Sequence, residues 1–164
     1  MKSILLTIFT LLIGIGLSAQ VDRVTVMKSS DGMKLQVNGE DFMINGMNWD
    51  YIPIGTNTVN ARFWEQSDDI IRAGLDTEMS LLKNMGVNVI RQYTGVPARW
   101  IRYIYEKYGI YTLLNHSFGR YGLTIDGVWI EITDYSDPRT REFLLDEVRQ
   151  LVTQYQGTPG LLMY

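Results

Sequence analysis

A chain of 164 residues that is 46% hydrophobic and 20% charged has the length of about one domain. It is too apolar for a disordered chain and too charged for a membrane bundle. Its formal net charge of −3 argues against nucleic-acid binding, which needs a basic patch, and the absence of cysteine excludes a disulfide framework, a thiolate zinc site and a cysteine nucleophile. Four Trp and ten Tyr fit stacking on neutral ligands such as sugars and fit a large core equally well.

In chain order, the first expectation is a secretory leader over residues 1–19. Lys2 supplies the positive start, Ile4 to Leu17 an uncharged apolar run, and Ser18-Ala19 small residues before a cut ahead of Gln20. The run is shorter than the roughly 20 residues a spanning helix needs, so no stable membrane anchor is expected. No cysteine follows that could carry a lipid. The protein is therefore expected to be exported, to a periplasm or the extracellular space.

Residues 20–41 read as a β-hairpin segment. Arg23 to Lys28 alternates like a strand, Ser29-Ser30-Asp31-Gly32 carries an Asp-Gly turn signal, and Met33 to Val37 returns. After a turn at Asn38 to Asp41, Phe42 to Asn48 is predicted as a third strand ending in the polar and aromatic cluster Asn48-Trp49-Asp50-Tyr51. Ser67 to Asn84 is predicted as a helix, with Ile71, Leu75, Met79, Leu82 and Met85 on one face, Ser67 or Asp68 as cap and Gly86 past its end. Gly74 weakens that helix.

Val87 to Tyr93 is a short apolar run that begins after Gly86 and stops before Gly95 and Pro97, which reads as a strand buried on both faces. Pro97 to Tyr108 follows as a helix, with Trp100, Ile101, Ile104 and Tyr105 inward and Gly109 at its end. Ile110 to Leu114 is the next strand and leads into Asn115-His116-Ser117. Arg120 to Ser136 shows no clear period and is expected to be a loop. Asp137-Pro138 starts a helix that runs to about Tyr155, with Phe143, Leu144, Glu147, Val148, Leu151, Val152 and Tyr155 on its inner stripe. Gly157 to Gly160 breaks it, and Leu161 to Tyr164 begins another apolar strand.

Strands alternating with helices imply right-handed βαβ units and a parallel sheet. The choice lies between a small open sheet and the N-terminal half, strands one to four, of a (β/α)8 barrel over residues 42–164. Two features favour the half barrel. Polar and aromatic residues follow every strand, where barrel sites are built. The last strand also has no helix after it to cover the sheet edge.

Four segments, in order, resemble the catalytic barrel of glycoside hydrolase family 2 and its relatives in the same clan of retaining glycosidases. They are Val37 to Asn48, Leu81 to Arg91, Tyr105 to Tyr111, and Asp137-Pro138-Arg139 through Tyr155 to Gly160. Family 5 enzymes and β-1,3-glucanosyltransferases share these opening strands, so the resemblance reaches the clan. It implies two glutamates about 5 Å apart, one acid/base and one nucleophile, after the fourth and seventh strands. The acid/base usually stands in an Asn-Glu pair after strand four, which here is Leu161 to Tyr164, and no such pair follows in these residues. The expectation is a fragment of an exported hydrolase of β-linked oligo- or polysaccharides, with no catalytic residue in this chain. The alternatives are a non-catalytic carbohydrate-binding half barrel and a β-glucanosyltransferase-type fragment.

The resemblance makes Arg91 the clan arginine of strand two, which hydrogen-bonds the nucleophile and keeps it ionised. With that glutamate outside these residues, Arg91 is expected to be exposed or to pair with Asp50. Asn115 and His116, the only histidine, end the third strand, where this clan often contacts sugar. Trp49, Asp50 and Tyr93 would line the subsite, although Trp49 suits the core as well. Trp64 and Trp129 would stack on sugar rings or pack within loops. Glu78, Glu106, Glu142 and Glu147 fall on helices that face outward in a barrel, and Glu131 and Asp134 fall in the third loop. No metal ligand spacing, phosphate-cradling loop or serine elbow occurs, so neither a metal nor a cofactor is expected.

Overall fold

The computed structural model describes residues 21–52, 55, 62–93 and 95–164; the leader expected over residues 1–19 lies outside them. The chain is a mixed α/β fold with a parallel sheet and three α-helices. Three antiparallel strands come first: β1 (Val24–Ser29), β2 (Gly32–Val37) and β3 (Glu40–Asp41). The parallel sheet has the order β4 (Gly46–Asn48), β5 (Val89–Tyr93), β6 (Tyr111–Asn115) and β9 (Leu161–Met163). Its crossovers carry α1 (Asp68–Asn84), α2 (Ala98–Tyr108) and α3 (Pro138–Tyr155). A two-stranded ribbon, β7 (Leu123–Ile125) and β8 (Val128–Ile130), precedes α3.

The single strand predicted over Phe42 to Asn48 is split. Phe42 still donates its N–H to Leu35, but residues 43–45 belong to neither ladder. Two asparagine side chains replace the missing ladder bonds. Asn88 accepts from the Asn45 N–H at 2.8 Å and donates to the Met43 carbonyl at 2.8 Å, while Asn45 Nδ2 donates to the Gly86 carbonyl at 2.8 Å. These bonds turn the chain from the antiparallel sheet into the parallel one.

One face of the parallel sheet is covered by all three helices. Ile71, Leu75, Met79 and Leu82 of α1, Trp100, Ile101 and Ile104 of α2, and Tyr155 of α3 pack around Ile90 and Leu114. Burial of each large aliphatic chain is worth about 1.5–3 kcal/mol, so this layer dominates stability. Met85, expected on the α1 inner face, is 66% exposed because it is already the C-cap. Gly74 does not break α1. It is buried, and an added Cβ would lie 3.0 Å from the Phe63 ring, so the missing side chain makes room for that ring. On α3, Leu144 and Tyr155 are buried and Leu151 packs against the core, while Val148 and Val152 are each 38% exposed. On α2, Tyr108 is buried where Tyr105 was expected.

The opposite face carries Val89, Tyr111 and Leu162, which share a second cluster with Val37 and the flanking Val24, Leu35 and Phe42. The antiparallel strands thus cover the amino-terminal end of that face. Asp22 locks them there, because its carboxylate accepts from the phenols of Tyr105 at 2.5 Å and Tyr111 at 2.6 Å and from Asn38 Nδ2 at 2.7 Å. Met43 and Ile44, before β4, and Met47 within it are exposed.

The segment Arg120 to Ser136, expected to be a loop, contains the β7–β8 ribbon. Its turn is Asp126-Gly127, with φ of 51° and 78°. Two consecutive left-handed residues make the turn that matches the twist of a tight hairpin.

Candidate functional site at the carboxyl ends of the parallel strands

Side chains alternate along a strand, so with Ile90 and Gln92 turned to the helices, Val89, Arg91 and Tyr93 face the other way. Arg91 sits directly beside Asn48 of β4, and Tyr93 beside Asn115 of β6. The Arg91 guanidinium donates to Asn115 Oδ1 at 2.7 Å and to Asn48 Oδ1 at 3.2 Å. Its Cζ lies 5.3 Å from the centre of the Tyr93 ring. β4, β5 and β6 are therefore joined at their carboxyl ends by one cation held between two neutral amides. This corrects the expectation that Arg91 is exposed or paired with Asp50. It is half-buried, and its partners are amide oxygens.

The other predicted residues divide between two clefts that meet at Tyr93. The first is lined by Asp50, Tyr51, Trp64, Glu65 and Tyr93 among others. Asp50 is exposed there, Trp64 is half-buried, and Glu65 is paired with Arg62 at 3.1 Å. The second, about 350 Å³, lies beyond β6 and includes Arg91, Tyr93, Asn115 and His116. His116 Nδ1 accepts from the Phe118 N–H at 3.0 Å, and its ring lies 4.3 Å from the Phe118 ring. An accepting Nδ1 places the proton of the neutral imidazole on Nε2.

Trp49 does not line either cleft. It is 7% exposed and packs with Tyr51, Phe63 and Trp64 at ring distances of 6.2–6.5 Å. Its carbonyl accepts from Gln92 Nε2, a polar side chain buried on the helix side of β5. Trp49 is thus a core residue, and its expected place in the subsite is withdrawn. Trp129 is 61% exposed on β8 and covers Gly122, where an added Cβ would lie 2.4 Å from its ring.

Sequence reasoning passed over four residues that the structure brings to the site: Asn48, Ser117, Arg120 and Tyr121. Asn48 and Asn115 could have been paired from sequence, since both are the last residue of a short strand followed by an aromatic ring. Arg120-Tyr121 follows Gly119 with no such pattern.

The displaced ionisations lie elsewhere. Asp76 on α1 is brought down to about 2 by hydrogen bonds from Lys107, Tyr103 and Tyr108 of α2. Burial pushes Asp22 up, but the bonds from Tyr105, Tyr111 and Asn38 leave it below its ordinary value. Both carboxylates join structural elements. The site itself offers a guanidinium, amides, an imidazole and aromatic faces, which can bind and orient a polyhydroxylated ligand by directed hydrogen bonds and stacking. Among the described residues no group of three or more His, Asp or Glu side chains could hold a metal ion. Among them, too, no helix is long and apolar enough to cross a membrane. No family model and no curated protein matches the chain.

Proposed function

We propose that these residues form the substrate-binding half of a (β/α)8 barrel in an exported glycoside hydrolase that cleaves β-linked carbohydrate with retention. The observation that carries this reading is the strand order. β4, β5, β6 and β9 follow each other without reversal, and all three helices contribute to the core on one face. A doubly wound sheet reverses its order at a switch point and carries helices on both faces, whereas a barrel winds in one sense. The joined Asn48, Arg91 and Asn115 side chains stand where barrel enzymes build their sites, and Tyr93 and Trp64 provide rings for sugar to stack on. The two catalytic glutamates would come from strands outside these residues, and Arg91 would hold the nucleophile among its partners.

Two measurements test this. The coding DNA beyond codon 164 is expected to encode Asn-Glu directly after β9, in one frame or another. The protein carrying that continuation is expected to hydrolyse β-linked oligosaccharides with the anomeric configuration retained, as read by proton NMR. Lack of the pair, or inversion, removes the reading. A second reading is favoured by the neutral and cationic character of the second cleft: a module that binds glycan and leaves it intact.

A further inference from the structure

The second cleft differs in charge from the rest of the molecule. The chain is net negative, yet this cleft is lined by two arginines, Arg91 and Arg120, and by His116, with no Asp or Glu among its described lining residues. The first cleft, on the other side of Tyr93, contains Asp50 and Glu65 against one arginine, Arg62. The two sides of one aromatic residue therefore have opposite character.

Among the described residues no carboxylate neutralises either arginine of the second cleft. Both side-chain bonds made by Arg91 go to uncharged amide oxygens. Arg120 is placed by backbone geometry: its N–H donates to the Ser117 carbonyl at 3.0 Å, and its guanidinium lies 5.6 Å from the Tyr121 ring. Among the described residues no carboxylate comes within ion-pair distance of either guanidinium. Arg91 is a half-buried cation with only neutral partners among the described residues, and an anion entering the cleft would relieve the cost of burying it, while Arg120 stands exposed at the mouth.

We infer that the second cleft seats a sugar unit bearing a carboxylate, so that the substrate is an acidic, uronate-containing glycan. This rests on the glycan-binding reading above and adds the charge of the ligand to it. The guanidinium presents parallel N–H donors that match the two oxygens of a carboxylate, and such paired, charge-assisted bonds are about twice as strong as neutral ones. Amide oxygens and the His116 and Ser117 side chains remain for sugar hydroxyls, and Tyr93 and Tyr121 wall the space. A cleft of about 350 Å³ suits one ring. If Arg91 also holds a nucleophilic glutamate, Arg120 still supplies the carboxylate contact.

The test is calorimetric titration of the full chain with two β-linked tetrasaccharides that differ only at C6, carboxylate against hydroxymethyl, and with acetate alone. The uronate form is expected to bind about ten- to a hundredfold more tightly, the worth of one or two charge-assisted hydrogen bonds. Its affinity should fall with added salt while that of the neutral form does not. Arg120→Gln should erase the difference between the two tetrasaccharides, and Arg120→Lys should restore part of it. Arg120 is exposed and outside the core, and the salt dependence of the unaltered chain reads the same interaction without a variant. Equal affinity for the two tetrasaccharides overturns the inference and leaves the glycan reading standing. Acetate competing as well as the uronate overturns it as simple anion binding. Binding of neither glycan overturns both.

Discussion

The Arg91 guanidinium donates to Asn115 Oδ1 at 2.7 Å across neighbouring parallel strands, although the register places Asn115 beside Tyr93. Arg91 therefore leans two residues toward the carboxyl end, over the Tyr93 ring, and meets Asn48 on its other side. A hydrogen bond to a charged group contributes about 1.5–3 kcal/mol, discounted here because Arg91 is half-buried. Asn115→Ala is expected to cost about 1 kcal/mol in denaturant unfolding, and a double-mutant cycle with Arg91→Ala should show coupling of similar size. Arg91→Lys should not rescue, because one ammonium is a compact point charge and does not span two amides as a planar fork does. Additive single losses would show that the contact is incidental.

Asp22 ties the amino-terminal strands to α2 through Tyr105 and to the parallel sheet through Tyr111, which gives an acid-dependent contribution to stability. Its carboxylate titrates below its ordinary value of 3.8 when folded. A depressed carboxylate contributes stability that is present above the unfolded value and is lost as pH falls through the folded one. Tyr111 is shifted the other way, pushed up first by burial and then by Asp22. Its contribution is present below the ordinary value of 10.0 and is lost as pH rises beyond it. Asp22→Asn is expected to lower stability at neutral pH by about 1–2 kcal/mol, the worth of charge-assisted bonds made neutral, and to flatten the acid limb of the unfolding curve. An unchanged acid limb would assign that limb to other carboxylates.

Most of the parallel sheet was legible because each strand sits between a helix-ending signal and a breaker, as in Met85-Gly86 before Val89 and Gly157 to Gly160 before Leu161. The missed ribbon had its own signal, since Asp126-Gly127 is the same dipeptide that marks the first hairpin at Asp31-Gly32, where the loop itself is Ser30-Asp31 and Gly32 opens β2. It was passed over because the flanking strands are only three residues each. The split of the Phe42 to Asn48 strand was not legible, because it depends on Asn45 and Asn88, which lie 43 residues apart in sequence. Trp49 could not be placed by type: an aromatic after a strand serves a core or a subsite, and only Phe63 packing beneath Gly74 decides it. The charge of the second cleft depends on Arg120, which comes to the mouth through a turn at Ser117 rather than through any strand position.

Gly160, the residue before β9, is the position where a single methyl should do most damage. Its φ is 83°, and a Cβ there would lie 2.2 Å from Tyr105 Cβ and 2.7 Å from Tyr105 Cγ. These atoms stand next to the α2 backbone, so they cannot swing aside like the tip of a long chain. Gly160→Ala combines left-handed strain of about 1–2 kcal/mol with overpacking of about 1–3 kcal/mol. The expected result is a loss of about 3 kcal/mol or insoluble expression, measured by urea denaturation where the protein is recovered. Gly127→Ala is the control, since its φ is 78° but nothing lies within 4 Å of the added Cβ. It should lose only the strain part, and equal losses at the two sites would refute the packing account.

Tyr93 lines both clefts and is 43% exposed, so it belongs to neither core cluster, and its removal should leave the fold intact. One face of its ring is occupied by Arg91 at 5.3 Å, and the ring forms the wall between a side with Asp50 and Glu65 and a side with Arg91 and Arg120. An aromatic in that position acts on sugars by stacking, which needs the ring and not the hydroxyl. Tyr93→Phe is therefore expected to keep oligosaccharide affinity within about twofold, while Tyr93→Ala should lose about tenfold, near the 1.4 kcal/mol that one stacked ring supplies. Because a ligand spanning both clefts must pass Tyr93, the loss should be larger for a tetrasaccharide than for a monosaccharide. A loss that is the same at both lengths would mean that only one cleft is occupied, and a larger loss for Tyr93→Phe than this would move the contact from the ring to its hydroxyl.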